Sequence, residues 1–325
     1  MKSGRQVYLN GVFVPEHEAK ISIFDSALMF GDMVFEMTRS FNKKQFKLRE
    51  HIERLYLGAK ILHIPLTMTI DELEAACMET IARNDEVFEN HDEHRLMINI
   101  SRGPLSIYAP VFDNKLEPTI VIADFPLKWT VASMAPLYSN GINAVIPSQR
   151  AIPASLMDPK IKNRSRLFYQ MANIEVSKVK GENNWALLLD TDGFITEGTG
   201  DNFFIIKNGE IITPEGRNIL RGISRDYIFE LASQLNIPYR ETNIEPYDVY
   251  SADEAFMTGT PFCILPTTSL NEIKIGDGKM GKLTNMLLEK WSKNVNLDIK
   301  GQIIEYGKEV SNLNKNSSSP YQFKN

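Results

Sequence analysis

The sequence predicts a mixed α/β protein of two domains, and three observations carry that expectation. Its 325 residues amount to roughly two domains of ordinary size, enough to bury two cores. Segments of strand period and helix period alternate along the chain. Around residues 126–140 both periods break, with Pro126 and Pro136 inside and Gly141 just beyond. The expected division is a smaller α/β domain over 1–125, a linker over 126–140 and a larger domain over 141–305 that carries the richer sheet. A tail over 306–325, rich in Asn, Ser and Lys from Ser311, reads as partly disordered.

Each element has its own signal. Gln6–Phe13 reads as a hairpin turning at Asn10-Gly11, a dipeptide favoured in two-residue hairpin turns. From Arg49 to Ile64, the residues Ile52, Leu55, Tyr56, Ala59 and Leu62 recur at helical spacing, and Pro65 ends the helix. Thr69-Ile-Asp-Glu72 is a capping box, in which hydroxyl and carboxylate each satisfy an orphan amide, and it opens a helix to about Arg83. Leu96–Ser101 and Thr119–Ala123 read as strands. Beyond the linker come a helix over Ser165–Val179, a buried strand over Trp185–Asp190, and a hairpin of Phe203–Ile206 with Glu210–Ile212. A helix opening at Ser224, a strand over Glu254–Met257 and a helix over Lys282–Ser292 follow. No internal repeat is visible.

Composition excludes several function classes. The chain is 43% hydrophobic and 24% charged, as in soluble globular proteins. Its net charge of −5 offers no general attraction to nucleic acid or an anionic membrane. Two cysteines, Cys77 and Cys263, exclude a disulfide framework and a four-cysteine zinc site, and suit a reducing compartment. No run of 18 apolar residues occurs and the first residues lack a signal-peptide core, so a cytoplasmic location is expected. All five histidines precede residue 95; His91-Asp-Glu-His94 has the wrong order for two ligands one helical turn apart and reads as a polar loop. No metal site is expected. Gly198-Thr-Gly200 lacks the third glycine of a dinucleotide fingerprint, and neither a phosphate-binding P-loop nor a nucleophile elbow is present.

Six short segments remain: Phe24–Glu36, His51-Ile-Glu-Arg54-Leu55, Asp158–Leu167, Asp190–Phe203, Ile219-Leu-Arg-Gly-Ile-Ser224 and Phe256-Met-Thr-Gly-Thr-Pro261. In this order they resemble the class IV (fold type IV) pyridoxal-phosphate enzymes, in a branched-chain aminotransferase-like form, over roughly residues 7–292. That family includes branched-chain and D-amino acid aminotransferases, R-selective amine transaminases and aminodeoxychorismate lyases. The resemblance implies a two-domain enzyme with its cofactor, pyridoxal 5′-phosphate, at the domain interface, working as a homodimer.

It also implies roles. Lys162 would form the Schiff base and carry the proton, with Lys160 its neighbouring competitor. Glu197 would face the pyridine nitrogen, keeping the ring an electron acceptor. Ile223 and Ser224 would present amides and a hydroxyl to the phosphate, Arg54 a cation, and Gly259 and Thr260 further donors. Ser224 also reads as an N-cap, and Arg54 as a surface arginine paired with Glu50 or Glu53. Phe30, Phe35 and Met37 would line the substrate pocket, and Arg95 would meet the substrate carboxylate.

Four positions depart from the family pattern. Leu167 stands where branched-chain enzymes carry a tyrosine, Met37 where they carry a glycine, Cys263 where relatives often have glutamate, and Ser224 where threonine is usual. The segment Pro104–Pro110 lacks the arginine and histidine of D-amino acid enzymes. The expected activity is ping-pong transfer of an amino group between an apolar amino acid or amine and a 2-keto acid, with neither nucleic acid nor membrane as partner. An aminodeoxychorismate lyase, an R-amine or D-amino acid transaminase, and a non-catalytic binding protein of the same fold are the alternatives.

Overall fold

The computed structural model describes residues 4–310. They form two compact units: the chain up to Leu127 together with Ile161–Arg166, and Lys128–Lys160 together with the chain from Leu167.

In the first unit, β1 (Gln6–Leu9) and β2 (Val12–Pro15) form the expected hairpin, with Asn10 and Gly11 at positive φ (47° and 91°) as a tight turn demands. Then come α1 (Ser26–Phe30), β3 (Met33–Met37), the two-residue strands β4 (Ser40–Phe41) and β5 (Lys44–Gln45), α2 (Leu48–Ile61), α3 (Ile70–Asp85), β6 (His94–Ser101) and β7 (Thr119–Pro126). The Thr69–Glu72 capping box forms as expected at the start of α3. The main sheet runs β2-β1-β7-β6-β3. Ile52, Leu55 and Ala59 of α2 and Leu73 and Cys77 of α3 pack against Val34, Leu96, Ile98, Ile100 and Ile122 on one sheet face. Because side chains alternate along a strand, the other face carries Phe35 opposite Asn99, Met37 opposite Met97, and Arg95 opposite Phe125. The segment 161–166 returns to this unit as an extra edge: Ile161 packs into the core, the Phe35 N–H donates to the Lys162 carbonyl (2.9 Å), and Val34 bridges Asn163.

The second unit contains the short helices α4 (Lys128–Val131) and α5 (Leu137–Asn140), then β8 (Ile142–Val145), α6 (Leu167–Val176), β9 (Asn184–Leu189), β10 (Ile195–Gly198), β11 (Asn202–Lys207) and β12 (Glu210–Pro214). It continues with α7 (Ile223–Gln234), β13 (Tyr239–Thr242), α8 (Pro246–Tyr250), β14 (Glu254–Gly259), β15 (Cys263–Leu270), β16 (Ile273–Lys274), α9 (Lys282–Asn294) and α10 (Ile299–Val310). Its nine-stranded sheet follows β10-β9-β8-β15-β14-β11-β12-β13, with β16 beside β15. The path from β10 to β11 closes on itself through the pair Glu197–Asn202, making a six-strand ring.

Three expectations need correction. Residues 126–140 are not a linker: Pro126 ends β7, and Lys128–Val131, Ala132–Met134 and Leu137–Asn140 are helical. Leu127, Val131, Met134, Leu137 and Tyr138 are buried, and Pro136 serves as a helix cap instead of a break. Residues 306–310 complete α10, while 311–325 lie outside the described residues. The segment around His91–His94 is no simple polar loop. His94 is fully buried at the start of β6, with Nδ1 2.8 Å from Asp124 and Nε2 3.0 Å from Asp85, and Glu93 accepts the Asn42 and Lys43 amides. Burial alone would lower the imidazole; the two carboxylates outweigh it and raise its pKa. No described helix is long and apolar enough to cross a membrane.

Candidate active site

In the first unit, β3 sets the arrangement through its alternation. Glu36 points to the helix-covered face and is fully buried, a position tolerated only with charged partners. Arg54 of α2 supplies a two-pronged pair, Nε to Oε1 at 2.6 Å and Nη2 to Oε2 at 2.8 Å, and His51 one turn earlier places Nδ1 2.8 Å from Oε2. Burial would raise the Glu36 carboxyl, but Arg54, then His51 and Lys162, hold it well below the usual carboxylate range. Burial lowers the His51 pKa, so the ring is neutral and donates Nδ1–H to Glu36. Arg54 thus pairs with Glu36, while Glu50 pairs with Lys47 and Glu53 with Arg49.

Phe35 points to the opposite face. Its buried ring lies 5.1 Å from Lys162 Nζ and 3.6 Å from the Arg164 guanidinium carbon, and Arg164 Nη2 donates to Asn99 at 3.1 Å. Met37 and Arg95 share that face, with Arg95 Nη2 3.7 Å from Met37 Sδ. Phe30 is elsewhere: it ends α1, 67% exposed, held through its carbonyl by the Ser165 hydroxyl at 3.0 Å.

In the second unit, Glu197 ends up where the sheet ring closes, and its carboxylate is surrounded by donors. The Tyr169 hydroxyl donates to Oε1 at 2.7 Å; Asn202 Nδ2 and the Leu220 amide donate to Oε2 at 2.9 and 3.0 Å. These three donors match an ionised, acceptor-only carboxylate. Asn202 Nδ2 also donates to the Leu220 carbonyl (2.9 Å), tying the 197–202 turn to the segment before α7. Gly222, not Ser224, is the N-cap of α7; Ser224 sits buried at the second helical position. Glycine is required at 222 because a Cβ there would meet Asn202 Oδ1 at 2.1 Å. Gly259 lies close to the same turn, its Cβ position 3.4 Å from the Gly200 carbonyl, and Thr260 follows at the β14–β15 turn. Asp201 is buried beside Glu197, and burial plus that neighbouring charge push its pKa up to about 8. Cys263, expected as a small buried residue, is fully buried at positive φ (64°).

The structure therefore gathers Lys162, Phe35, Met37 and Arg95 on one sheet face, and Glu197, Ile223, Ser224, Gly259 and Thr260 around neighbouring turns of the other unit. Sequence reasoning missed Glu36 and His51, although a glutamate in phase with Val34 on a half-buried strand signals a buried ion pair. It also missed Arg164, Asn99 and Tyr169, whose partners lie far along the chain.

The model of the class IV amino-transferase family matches residues 33–270. The chain belongs to the class IV aminotransferases. These are pyridoxal-phosphate-dependent transaminases, and the chain is one of them. A putative branched-chain-amino-acid aminotransferase of Methanocaldococcus jannaschii is 37% identical over 289 residues, covering 88% of this chain and 95% of that one. The branched-chain-amino-acid aminotransferase of Escherichia coli K12 is 31% identical over 292 residues, covering 88% and 91%. The crystal structure of the Escherichia coli branched-chain enzyme matches with a TM-score of 0.78 at 29% identity, over 87% of this chain and 92% of that one. The T.th. branched-chain enzyme complexed with N-(5′-phosphopyridoxyl)-L-glutamate matches with a TM-score of 0.77 at 27% identity, over 95% and 98%. Both solved structures share the fold type IV architecture of this aminotransferase.

The residues of this class IV enzyme fit the cofactor. A buried carboxylate held ionised by donors suits a protonated ring nitrogen. The first turn of α7 has no capping side chain, leaving amide donors for a phosphate, with the Ser224 hydroxyl among them. A Cβ at Gly200 would meet nothing within 4 Å, so backbone there is open to a flat group.

Proposed function

We propose that this transaminase moves the amino group between an apolar, branched-chain-like amino acid and a 2-keto acid in two half-reactions. The observation that carries the reading is the β3–β6 face, where the Lys162 amine stands over Phe35 and the same face continues through Met37 and Met97 to Arg95. An apolar floor with a cation at its end suits an acid with an apolar side chain. The similarity to branched-chain enzymes supports the same substrate class.

When bound, pyridoxal phosphate supplies the electron sink for the charge left at the substrate Cα. Lys162 would take the proton from that Cα and deliver it to C4′ of the cofactor, and move it the opposite way in the second half-reaction. Glu197 would hold the proton at the ring nitrogen, and Ile223, Ser224, Gly259 and Thr260 would hold the phosphate; Arg54 is the cation that the family resemblance assigns to it. Phe35 and Met37 exclude water from the side chain of the substrate, and Arg95 meets its carboxylate; Phe30, exposed at the end of α1, lies off this face. The protein works as a homodimer in the cytoplasm.

The test is a panel of half-reactions. With pyridoxal phosphate bound, L-leucine bleaches the visible band and releases 4-methyl-2-oxopentanoate, whereas D-alanine and R-1-phenylethylamine leave it intact. Bleaching by the amine alone, or pyruvate released from aminodeoxychorismate without a keto acid, would replace this reading with one of its rivals.

A further inference from the structure

We propose that Tyr169 is the positioning residue for Glu197, and that its hydroxyl sets how strongly that carboxylate holds the proton at the cofactor ring nitrogen. The inference rests on the role given to Glu197 above. Two of the three described donors hold Oε2, and Tyr169 is the described donor to Oε1, at 2.7 Å. A hydroxyl donating to a carboxylate is a charge-assisted bond, about twice as strong as a neutral one, and it draws negative charge away from the acceptor. Tyr169 is itself fixed. It is 7% exposed and packs with Ala172, Val176, Ala186 and Leu188, with the Phe168 ring 4.1 Å away.

The helix geometry separates the role of this tyrosine from that of the position two residues before it. Residues two apart on a helix lie on nearly opposite sides. Leu167, where branched-chain enzymes carry their tyrosine, is 73% exposed, whereas Tyr169 is turned inward to the carboxylate. A phenol on the inner side reaches the acid and can tune it.

The test is the pH titration of the visible band of the holoenzyme. Tyr169→Phe leaves more negative charge on Glu197, favours the protonated chromophore, and moves the midpoint up by about half to one pH unit. It lowers kcat about tenfold with KM within twofold. 3-Fluorotyrosine placed at position 169 alone, a stronger donor of the same shape, moves the midpoint the other way. In a Glu197→Gln background neither change at 169 has an effect, because the acceptor charge is gone. Unmoved midpoints in both variants, or equal shifts with and without Glu197, overturn the role of Tyr169 and leave that of Glu197 standing. An unmoved midpoint in Glu197→Gln itself overturns the reading of Glu197, and this proposal with it.

Discussion

Glu36 and Arg54 face each other through two parallel hydrogen bonds, at 2.6 and 2.8 Å, with the carboxylate fully buried and His51 closing its remaining side. The pair fixes where the arginine of α2 can point. It also gives the first unit a buried charged anchor on the helix-covered sheet face, beside Val34 and Ile98.

Removing one partner leaves the other charge buried. Glu36→Gln should lower the unfolding free energy by about 3 kcal/mol, measured by urea denaturation at pH 7. The sign with pH follows from the depressed carboxyl: the contribution is full above the unfolded value of about 4.5 and is lost as pH falls below it. The gap between wild type and variant therefore narrows in acid.

Asp201 behaves oppositely. Its folded pKa of about 8 lies far above the unfolded value near 3.8, so the folded state keeps a proton that the unfolded chain has released. Stability from this group is full at low pH, falls as pH rises from about 4 to about 8, and is level beyond. Asp201→Asn removes the slope, so its Tm relative to wild type should rise by about 5 °C between pH 5 and pH 8 in scanning calorimetry.

Gly222 has no room for a side chain, since its Cβ would sit 2.1 Å from Asn202 Oδ1. Gly222→Ala displaces Asn202 and breaks its bonds to Glu197 and to the Leu220 carbonyl. Equilibrium titration with pyridoxal phosphate should show affinity reduced about tenfold or more, the effect of one to two charge-assisted bonds.

Phe35 carries the floor of the substrate face. Phe35→Leu removes the ring beneath Arg164 and Lys162, so kcat/KM for L-leucine should fall about tenfold while stability drops by only about 1 kcal/mol. Steady-state kinetics with L-leucine and a shorter donor separates lost pocket contact from lost catalysis, since the shorter donor is affected less.

The local signals in the sequence were sufficient for the elements and for the family. The Asn10-Gly11 turn, the Thr69–Glu72 cap and the periodicity of α2 each rest on residues close in the chain, and each formed. The prolines at 126 and 136 misled because proline both breaks and starts helices; burial of Leu127, Val131 and Leu137 decided the matter. Lys162 and Glu197 stand in the ordered segments that carry the family resemblance, which is the ground for the roles proposed for them. Their surroundings were not legible, because the partners of Glu197 come from residues 169, 202 and 220, and sheet closure alone brings them together. Ser224 was read as the N-cap two positions too late, an error of boundary that leaves its hydroxyl in the first turn.

The central claim is that Lys162 is the residue that carries the cofactor. The most direct measurement is borohydride reduction of the holoenzyme followed by peptide mapping with mass spectrometry. The account predicts a phosphopyridoxyl group on Lys162, abolished in Lys162→Ala. A group fixed on Lys160 instead, or spread over surface lysines with equal yield in Lys162→Ala, would contradict it.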